Sequence, residues 1–314
     1  MAVLVFGSIN FDLIARVPAL PGPGETALSP ALQTAPGGKG ANQALAARLA
    51  GGGEVRLVGR VGRDAFAGPA LKLLADSGVD VSLIARGDAS TGVAMIAVSA
   101  EGQNQIVAAS GANAELTADA VLDAWLAPGT IVLMQMEVPV MASAALATRA
   151  AGRGCKIVLN AAPAAPVPKE LLDRVDVLVA NEHEAPVVAQ AAGFDADTPV
   201  ASGRALSAGG ARAVVVTLGG EGAVAFKGGK AWHVPALRLD NVVDTTGAGD
   251  AFVGALAAAL DRGMEWKDAL ARASVAGSLT CARSGAQPAL PMRGEIDAAL
   301  SRLGRIERAD FEIN

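Results

Sequence analysis

Short, nearly continuous apolar runs recur along the chain, and most are followed by an Ala-rich or turn-rich stretch. They are AVLVFGS (2–8), VRLVGRVG (55–62), TIVLMQME (130–137), CKIVLN (155–160), VDVLVAN (175–181) and AVVVTLG (213–219). A strand with one face in water alternates apolar and polar residues; a strand covered on both faces has no polar side to alternate with. Continuous apolar strands separated by helices therefore specify a mostly parallel sheet between two helical layers. The spacing predicts helices near 40–50, 65–77 and 139–151. It also predicts a strand over LRLDNVVD (237–244) that leads into a helix over AFVGALAAAL (251–260). With 314 residues and neither an internal repeat nor a low-complexity linker, the chain reads as one doubly wound, three-layer α/β domain over 1–314. In such a fold ligands bind beyond the carboxyl ends of the strands.

Two segments break the pattern. DLIARVPALPGPGETALSPALQT (12–34) is rich in Pro and Gly, and STGVAMIAVSAEGQNQIVAAS (90–110) reads as two alternating strands around AEGQN, a hairpin signal. Neither fits a βαβ unit. Together they read as a small antiparallel sheet projecting from the main domain, either a surface excursion or a lid that excludes water from the strand ends.

Composition removes several classes of function. The formal net charge is −5, and such a chain lacks the basic stripe that grips a nucleic-acid backbone. The apolar runs are too short to span a bilayer, and the N-terminus MAVLVFGSIN has no basic flank of a secretory leader. No membrane contact and a cytoplasmic location are expected. Cys155 and Cys281 form neither a disulfide framework nor a zinc spacing. His183 and His233 are the only histidines and lie outside every chemical motif, which argues against a Ser-His hydrolase.

Three strand ends carry chemistry-bearing residues. GSINFD (7–12) sets Asn10 and Asp12 after the first strand, where they could bond sugar hydroxyls or simply shape a turn. PGGKGANQALAARLAG (36–51) begins like a phosphate loop, but Gly40 follows Lys39 where Ser or Thr is needed, and no G-x-G-x-x-G occurs. What remains is a Gly-rich turn with Lys39 and Asn42 at a helix mouth, open to a polyhydroxy ligand or serving as a tight structural turn. TTGAGD (245–250) crowds poor helix formers at a helix start. Gly247, Ala248 and Gly249 can aim N–H donors at an anion there. Asp250 either complements the helix dipole or takes a proton from a hydroxyl attacking that anion, an arrangement suited to phosphoryl transfer.

GGKGANQALAARLAG and DTTGAGDAFVGALAAAL resemble the two signatures of the ribokinase-like sugar kinases, the PfkB family. GSINFD, PGGKGANQA, TGVAMIAVSAEGQNQIVAASGAN, LMQMEVP, LNAAPA, ANEHEA, VTLGGEGA and GAQPALP also follow in the order seen in the ribokinase branch, to about residue 300. The resemblance implies a kinase that uses ATP and Mg²⁺ to phosphorylate the 5-hydroxyl of ribose. Alternatives are another acceptor (deoxyribose, fructose, adenosine) or a non-catalytic sugar-binding protein, against which the intact GAGD argues. Asn10, Asp12, Gly38, Lys39, Asn42 and Glu137 match sugar-holding positions. Asp250 matches the base, and 247–249 match the anion hole. Asn181 and Glu184 match the pair that organises Mg²⁺, water and phosphates; from the residues alone they read as a capped helix start. Thr217, Gly219 and Gly222 match an ATP loop, with Gly249 also on the nucleotide side; TLGGEG is equally an ordinary hairpin turn. A potassium activator is implied at Asp244, Thr246, Thr280, Arg283, Gly285 and Ala289, mostly through carbonyls, and a homodimer through the lid. The chain departs from the pattern at Ala161 (Pro in the family), at Ala289 (often Ser), and in lacking a histidine near Ser274 for the adenine pocket.

Overall fold

Each apolar run is the centre of a strand with both faces covered. The computed structural model describes residues 2–309. Its strands are β1 (Ala2–Phe6), β2 (Asn10–Arg16), β3 (Leu32–Gly37), β4 (Glu54–Val58), β5 (Arg60–Val61), β6 (Ala85–Arg86), β7 (Gly92–Val98), β8 (Asn104–Ala109), β9 (Ile131–Met134), β10 (Lys156–Asn160), β11 (Val177–Asn181), β12 (Ala213–Thr217), β13 (Ala223–Lys227), β14 (Lys230–Val234) and β15 (Glu307–Arg308). Its helices are α1 (Lys39–Leu49), α2 (Ala67–Asp76), α3 (Val140–Ala151), α4 (Lys169–Leu172), α5 (Glu184–Ala191), α6 (Pro199–Gly209), α7 (Ala248–Asp261), α8 (Trp266–Thr280) and α9 (Arg293–Ala299). No helix among the described residues is long and apolar enough to cross a membrane.

The main sheet has nine strands in the order β15-β14-β13-β12-β11-β10-β9-β1-β4. From β12 to β4 the neighbours run parallel; β13, β14 and β15 add an antiparallel edge. Successive side chains point to opposite faces. Val3 and Val5 of β1 enter the core built with α1, α7 and α8, while Leu4 and Phe6 enter the one built with α3, α5 and α6. Chain order moves from β1 outward to β4, then jumps back to β9 on the other side of β1. That reversal opens a crevice between the loops after β1 and β9.

Alanine and glycine in the helices set how closely they approach. A Cβ on Gly254 of α7 would lie 2.5 Å from the Ala46 Cβ and 2.7 Å from the Gln43 carbonyl oxygen of α1. Nothing larger than hydrogen fits, so α7 lies directly on α1.

The segments 12–34 and 90–110 meet in a second sheet of order β3-β2-β7-β8. Their hairpins are antiparallel as expected, but β2 and β7 pair in parallel. Two hairpins that abut through their first strands, both leaving the body in one direction, must run alike at the seam. The sheet is therefore mixed.

LRLDNVVD forms no strand. The outer edge of β14 is occupied by β15, so 237–244 has no ladder to join. It crosses the end of α8 instead: Leu237 N donates to Ser278 Oγ at 3.0 Å and Val243 N to Cys281 O at 2.8 Å. Of its apolar residues Leu237 is buried, whereas Val242 and Val243 are exposed.

Candidate active site

The crevice beside β1 is lined by side chains that fix one another. Ser8 Oγ donates to Glu137 Oε2 at 2.5 Å, Lys39 N donates to the same oxygen at 3.0 Å, and Gly40 N donates to Ser8 Oγ at 3.2 Å. The loops after β1 and β9 are thus tied to the start of α1. Asn10 opens β2, and its Oδ1 accepts from Asn113 Nδ2 at 2.8 Å. Asn113 also exchanges bonds with the Ile9 backbone, at 2.9 and 3.2 Å. This fixes which end of the Asn10 amide faces Asn113. Asn10, Asn113, Glu137 and Pro163 line a cavity of about 350 Å³ with Ala108–Ser110.

A second cavity of about 230 Å³ lies at the start of α7, lined by Lys39, Asn160, Asn181, Glu184, Thr217, Thr245, Gly247, Gly249 and Asp250. Gly247 has φ 78°. Its left-handed backbone suits glycine, and a Cβ there would meet the Ala286 Cα at 2.9 Å. The first turn of a helix leaves N–H groups without intrahelical partners. Ala248 N donates to Thr245 O at 3.2 Å, so Gly247 and Gly249 carry the more available donors. Asp250 is buried in this turn, and α1 supplies donors to both its oxygens: Asn42 Nδ2 to Oδ2 at 2.9 Å and Gln43 Nε2 to Oδ1 at 2.8 Å.

Acids crowd this region around a single amine. Burial pushes the Asp250 carboxyl above the ordinary range, against the pull of Lys39, Asn42 and Gln43. Burial raises Asp12 to about 6, helped by Glu137 and Asp250. Glu184 is raised by burial too, opposed by the Asn181 N–H and by Lys39. For Lys39 burial favours the neutral amine, but Asp250, Glu137 and Glu184 outweigh it and raise its pKa. The same crowding thus raises Lys39, and burial raises the three carboxyls.

The remaining sequence-designated residues fall into separate groups. Asn181 Oδ1 accepts from His183 N and Glu184 N, both at 2.8 Å, and Asn181 N donates to Glu184 Oε2 at 2.9 Å. The pair caps α5 and lines the second cavity at once. Thr217 lines it as well, and Gly219 follows in a 3₁₀ turn whose Cα is open to space. Gly222 has φ 89°, and a Cβ there would lie 2.1 Å from Val234 O, so the turn after β12 needs glycine where it meets the end of β14. Asp244 joins two loops, accepting from Thr246 N at 2.9 Å and Gly285 N at 2.8 Å. Partial burial opposes its charge, yet these bonds and Arg16 hold its carboxyl below the usual range. Arg283 turns its guanidinium to Glu295. Thr280 Oγ1 donates to Ala276 O at 2.9 Å, and Ala289 is buried. Ser274, where the histidine is missing, donates to Pro235 O at 2.6 Å. His183 and His233 are exposed.

Residues 2–293 match the pfkB family carbohydrate kinases. The chain belongs to the pfkB carbohydrate kinase family. It is 33% identical over 303 residues to the ribokinase of Lactococcus lactis, covering 96% of this chain and 97% of that one. Among solved structures it resembles Thermotoga maritima ribokinase, with a TM-score of 0.88 and 31% identity over 96% of this chain and 99% of that one. Arabidopsis thaliana ribokinase complexed with ribose and ATP superposes at a TM-score of 0.82, with 32% identity over 95% of this chain and 98% of that one.

For this pfkB family member, sequence reasoning missed the buried amides: Gln43, Asn113, Gln135, Asn160 and Gln287. All five stood inside quoted motifs: Gln43 in PGGKGANQA, Asn113 in TGVAMIAVSAEGQNQIVAASGAN, Gln135 in LMQMEVP, Asn160 in LNAAPA and Gln287 in GAQPALP. For Gln43 and Asn160, a polar residue on an otherwise apolar helix face or strand was the available signal.

An acid whose pKa is raised by folding destabilises the fold where it is ionised. For Asp12 that penalty is absent below 3.8, grows as pH rises, and is complete above about 6. Asp12→Asn should therefore stabilise the ligand-free protein by about 2 kcal/mol at pH 8, and clearly less at pH 5. Urea unfolding at the two pH values measures this, and an equal gain at both would contradict a raised carboxyl.

Proposed function

We propose that the protein is a ribokinase, transferring the γ-phosphoryl group of ATP to the 5-hydroxyl of D-ribose to give ribose 5-phosphate and ADP. The observation that carries this reading is Asp250, a buried carboxylate with both oxygens held by amides at the N-terminus of α7. The Asn10–Glu137 cavity nearby suits a polyhydroxy ligand, and the similarity to ribokinases over nearly the whole chain supports the substrate pair.

In this reading Asn10, Asp12, Gly38, Lys39, Asn42 and Glu137 hold the sugar. Asp250 accepts the 5-hydroxyl proton as that oxygen bonds to the γ-phosphorus and the bond to the β-phosphate oxygen breaks. Burial raises the Asp250 carboxyl above the ordinary range, which makes its carboxylate a stronger base than a solvated one. Charge on the migrating group meets the N–H donors of Gly247 and Gly249, with Ala248 sharing its own with Thr245, and the α7 dipole. Asn181, Thr217, Gly219, Gly222 and Gly249 are the nucleotide side. Gly222 acts there through the turn it shapes.

Among the described residues no group of three or more His, Cys, Asp or Glu side chains is arranged to hold a metal. Asn181 and Glu184, which line the second cavity, would hold a hydrated Mg²⁺ through its waters. When bound, it would supply charge neutralisation for the phosphates. A potassium ion fits beside Asp244, whose anionic carboxylate bridges the turn 244–246 and the loop at Gly285. Thr246, Thr280, Arg283, Gly285 and Ala289 would offer carbonyls. Arg283 is compatible because its charge is paired with Glu295. A potassium ion bound there would hold the two loops, and with them the N–H groups of 247–249, in one arrangement. The lid sheet supports a homodimer: Leu32, Met95 and Val107 are exposed, and the register puts them on one face.

Coupled ADP release across a panel of ribose, deoxyribose, fructose and adenosine tests the substrate. Ribose should turn over fastest and EDTA should abolish the rate; a faster alternative acceptor would replace ribose. In the same assay Asp250→Asn should lower kcat by about 10²–10⁴-fold while ribose and ATP still bind, and near-parent turnover would remove Asp250 as the base.

At constant ionic strength, potassium should give a higher initial rate than sodium or a bulky organic cation, and Asp244→Asn should lose the difference. Equal rates with all three ions would rule out the activator site.

Sedimentation at micromolar concentration should give twice the monomer mass of 31.3 kDa. A monomer there would leave the apolar lid face without its proposed partner.

A further inference from the structure

The amides around Asp250 form a connected chain. Gln43 is fully buried, and its NH₂ group donates in two directions, to Asp250 Oδ1 at 2.8 Å and to Asn160 Oδ1 at 2.9 Å. Its own Oε1 accepts from Gln135 Nε2 at 2.8 Å. On the other carboxylate oxygen, Asn42 is held in turn by Gln287 Nε2, which donates to Asn42 Oδ1 at 3.1 Å.

The orientation of Gln43 is thereby fixed. Rotating its amide by half a turn would set its oxygen against two acceptor oxygens and its NH₂ against another NH₂. Gln135 sits at the end of β9, Asn160 ends β10, and Asn160 Nδ2 donates onward to Val179 O of β11 at 3.2 Å. One side chain of α1 thus refers the Asp250 carboxylate to three neighbouring strands. Gly254 fixes the spacing, one turn along α7, by letting that helix rest on the Gln43 backbone.

We infer that Gln43 is a positioning residue for phosphoryl transfer: it holds the Asp250 carboxylate in its reactive orientation and is itself held by Gln135. The inference rests on the kinase reading above. Two donors, one on each oxygen, stop the carboxylate rotating about its Cβ–Cγ bond, so the remaining lone pairs keep one direction toward the attacking hydroxyl. Small misplacements of such a group are expensive in rate. Gln43 also favours the ionised carboxylate, as do Lys39 and Asn42, against burial and the charge of Glu137; Asp12 and Glu184 also interact electrostatically with Asp250.

The test is kcat, KM for ribose and the pH dependence of kcat in Gln43→Met and Gln135→Met, beside the parent. Methionine keeps the length and volume but donates nothing. Gln43→Met should lower kcat by about 10–100-fold, leave KM for ribose within about threefold, and move the acid limb of the kcat profile to higher pH. Gln135→Met should do the same more weakly, and it carries the test if Gln43→Met does not fold. A purely structural glutamine would lower the melting temperature and the active fraction without moving the acid limb. An unmoved limb with parent-like kcat in a folded variant overturns the inference alone. Absence of parent turnover with every sugar overturns the kinase reading, and the inference with it.

Discussion

A carboxylate buried at the N-terminus of α7 is the constraint around which the rest of this structure is arranged. Removing an anion from water carries a large penalty unless donors replace the water. Asn42 and Gln43, consecutive on α1, provide those donors, one for each oxygen of Asp250. They reach it only because α7 lies on α1 at contact distance, and Gly254 with the alanines of both helices permits that approach. The Ala-rich composition is therefore more than helix propensity: it brings two helices close enough to share one charge.

The sheet decides what surrounds that charge. Placing β1 between β4 and β9 brings the loop bearing Ser8 and Asn10 against the loop bearing Glu137, and the start of α1 bridges them through Lys39 N and Gly40 N. Asp250, Glu137 and Glu184 then gather around Lys39, with Asp12 beside Glu137 and Asp250. Burial, helped by charge repulsion among the acids, raises Asp12, Glu184 and Asp250 together, while the acids around it raise Lys39.

The lid and the loop 237–244 show where local pattern runs out. Alternation in 90–110 gave a correct hairpin, but the parallel seam between β2 and β7 depends on how two hairpins meet in space. LRLDNVVD has strand-like alternation and yet no ladder, because β15, distant in sequence, already pairs with β14. Strand propensity is realised only where an edge is free, and edge occupancy is a tertiary property.

The sequence by itself determined the layered α/β architecture, since continuous apolar strands between helices admit no one-sided sheet. It also brought GAGD and GGKGAN to two helix starts, whose residues the fold places against each other at Asn42, Gln43 and Asp250. The tertiary structure alone decided which donors meet Asp250, that Asn113 turns the Asn10 amide, and that Asp244 links its turn to the loop at Gly285. It also decided that Gly222 packs against the Val234 carbonyl and that the Ala248 N–H is partly engaged by Thr245. The physical reason is range. Periodicity and turn chemistry act over a few residues and are written locally, whereas Gln43 and Asp250 are separated by 207 positions and joined by one 2.8 Å hydrogen bond that exists only once two helices have packed.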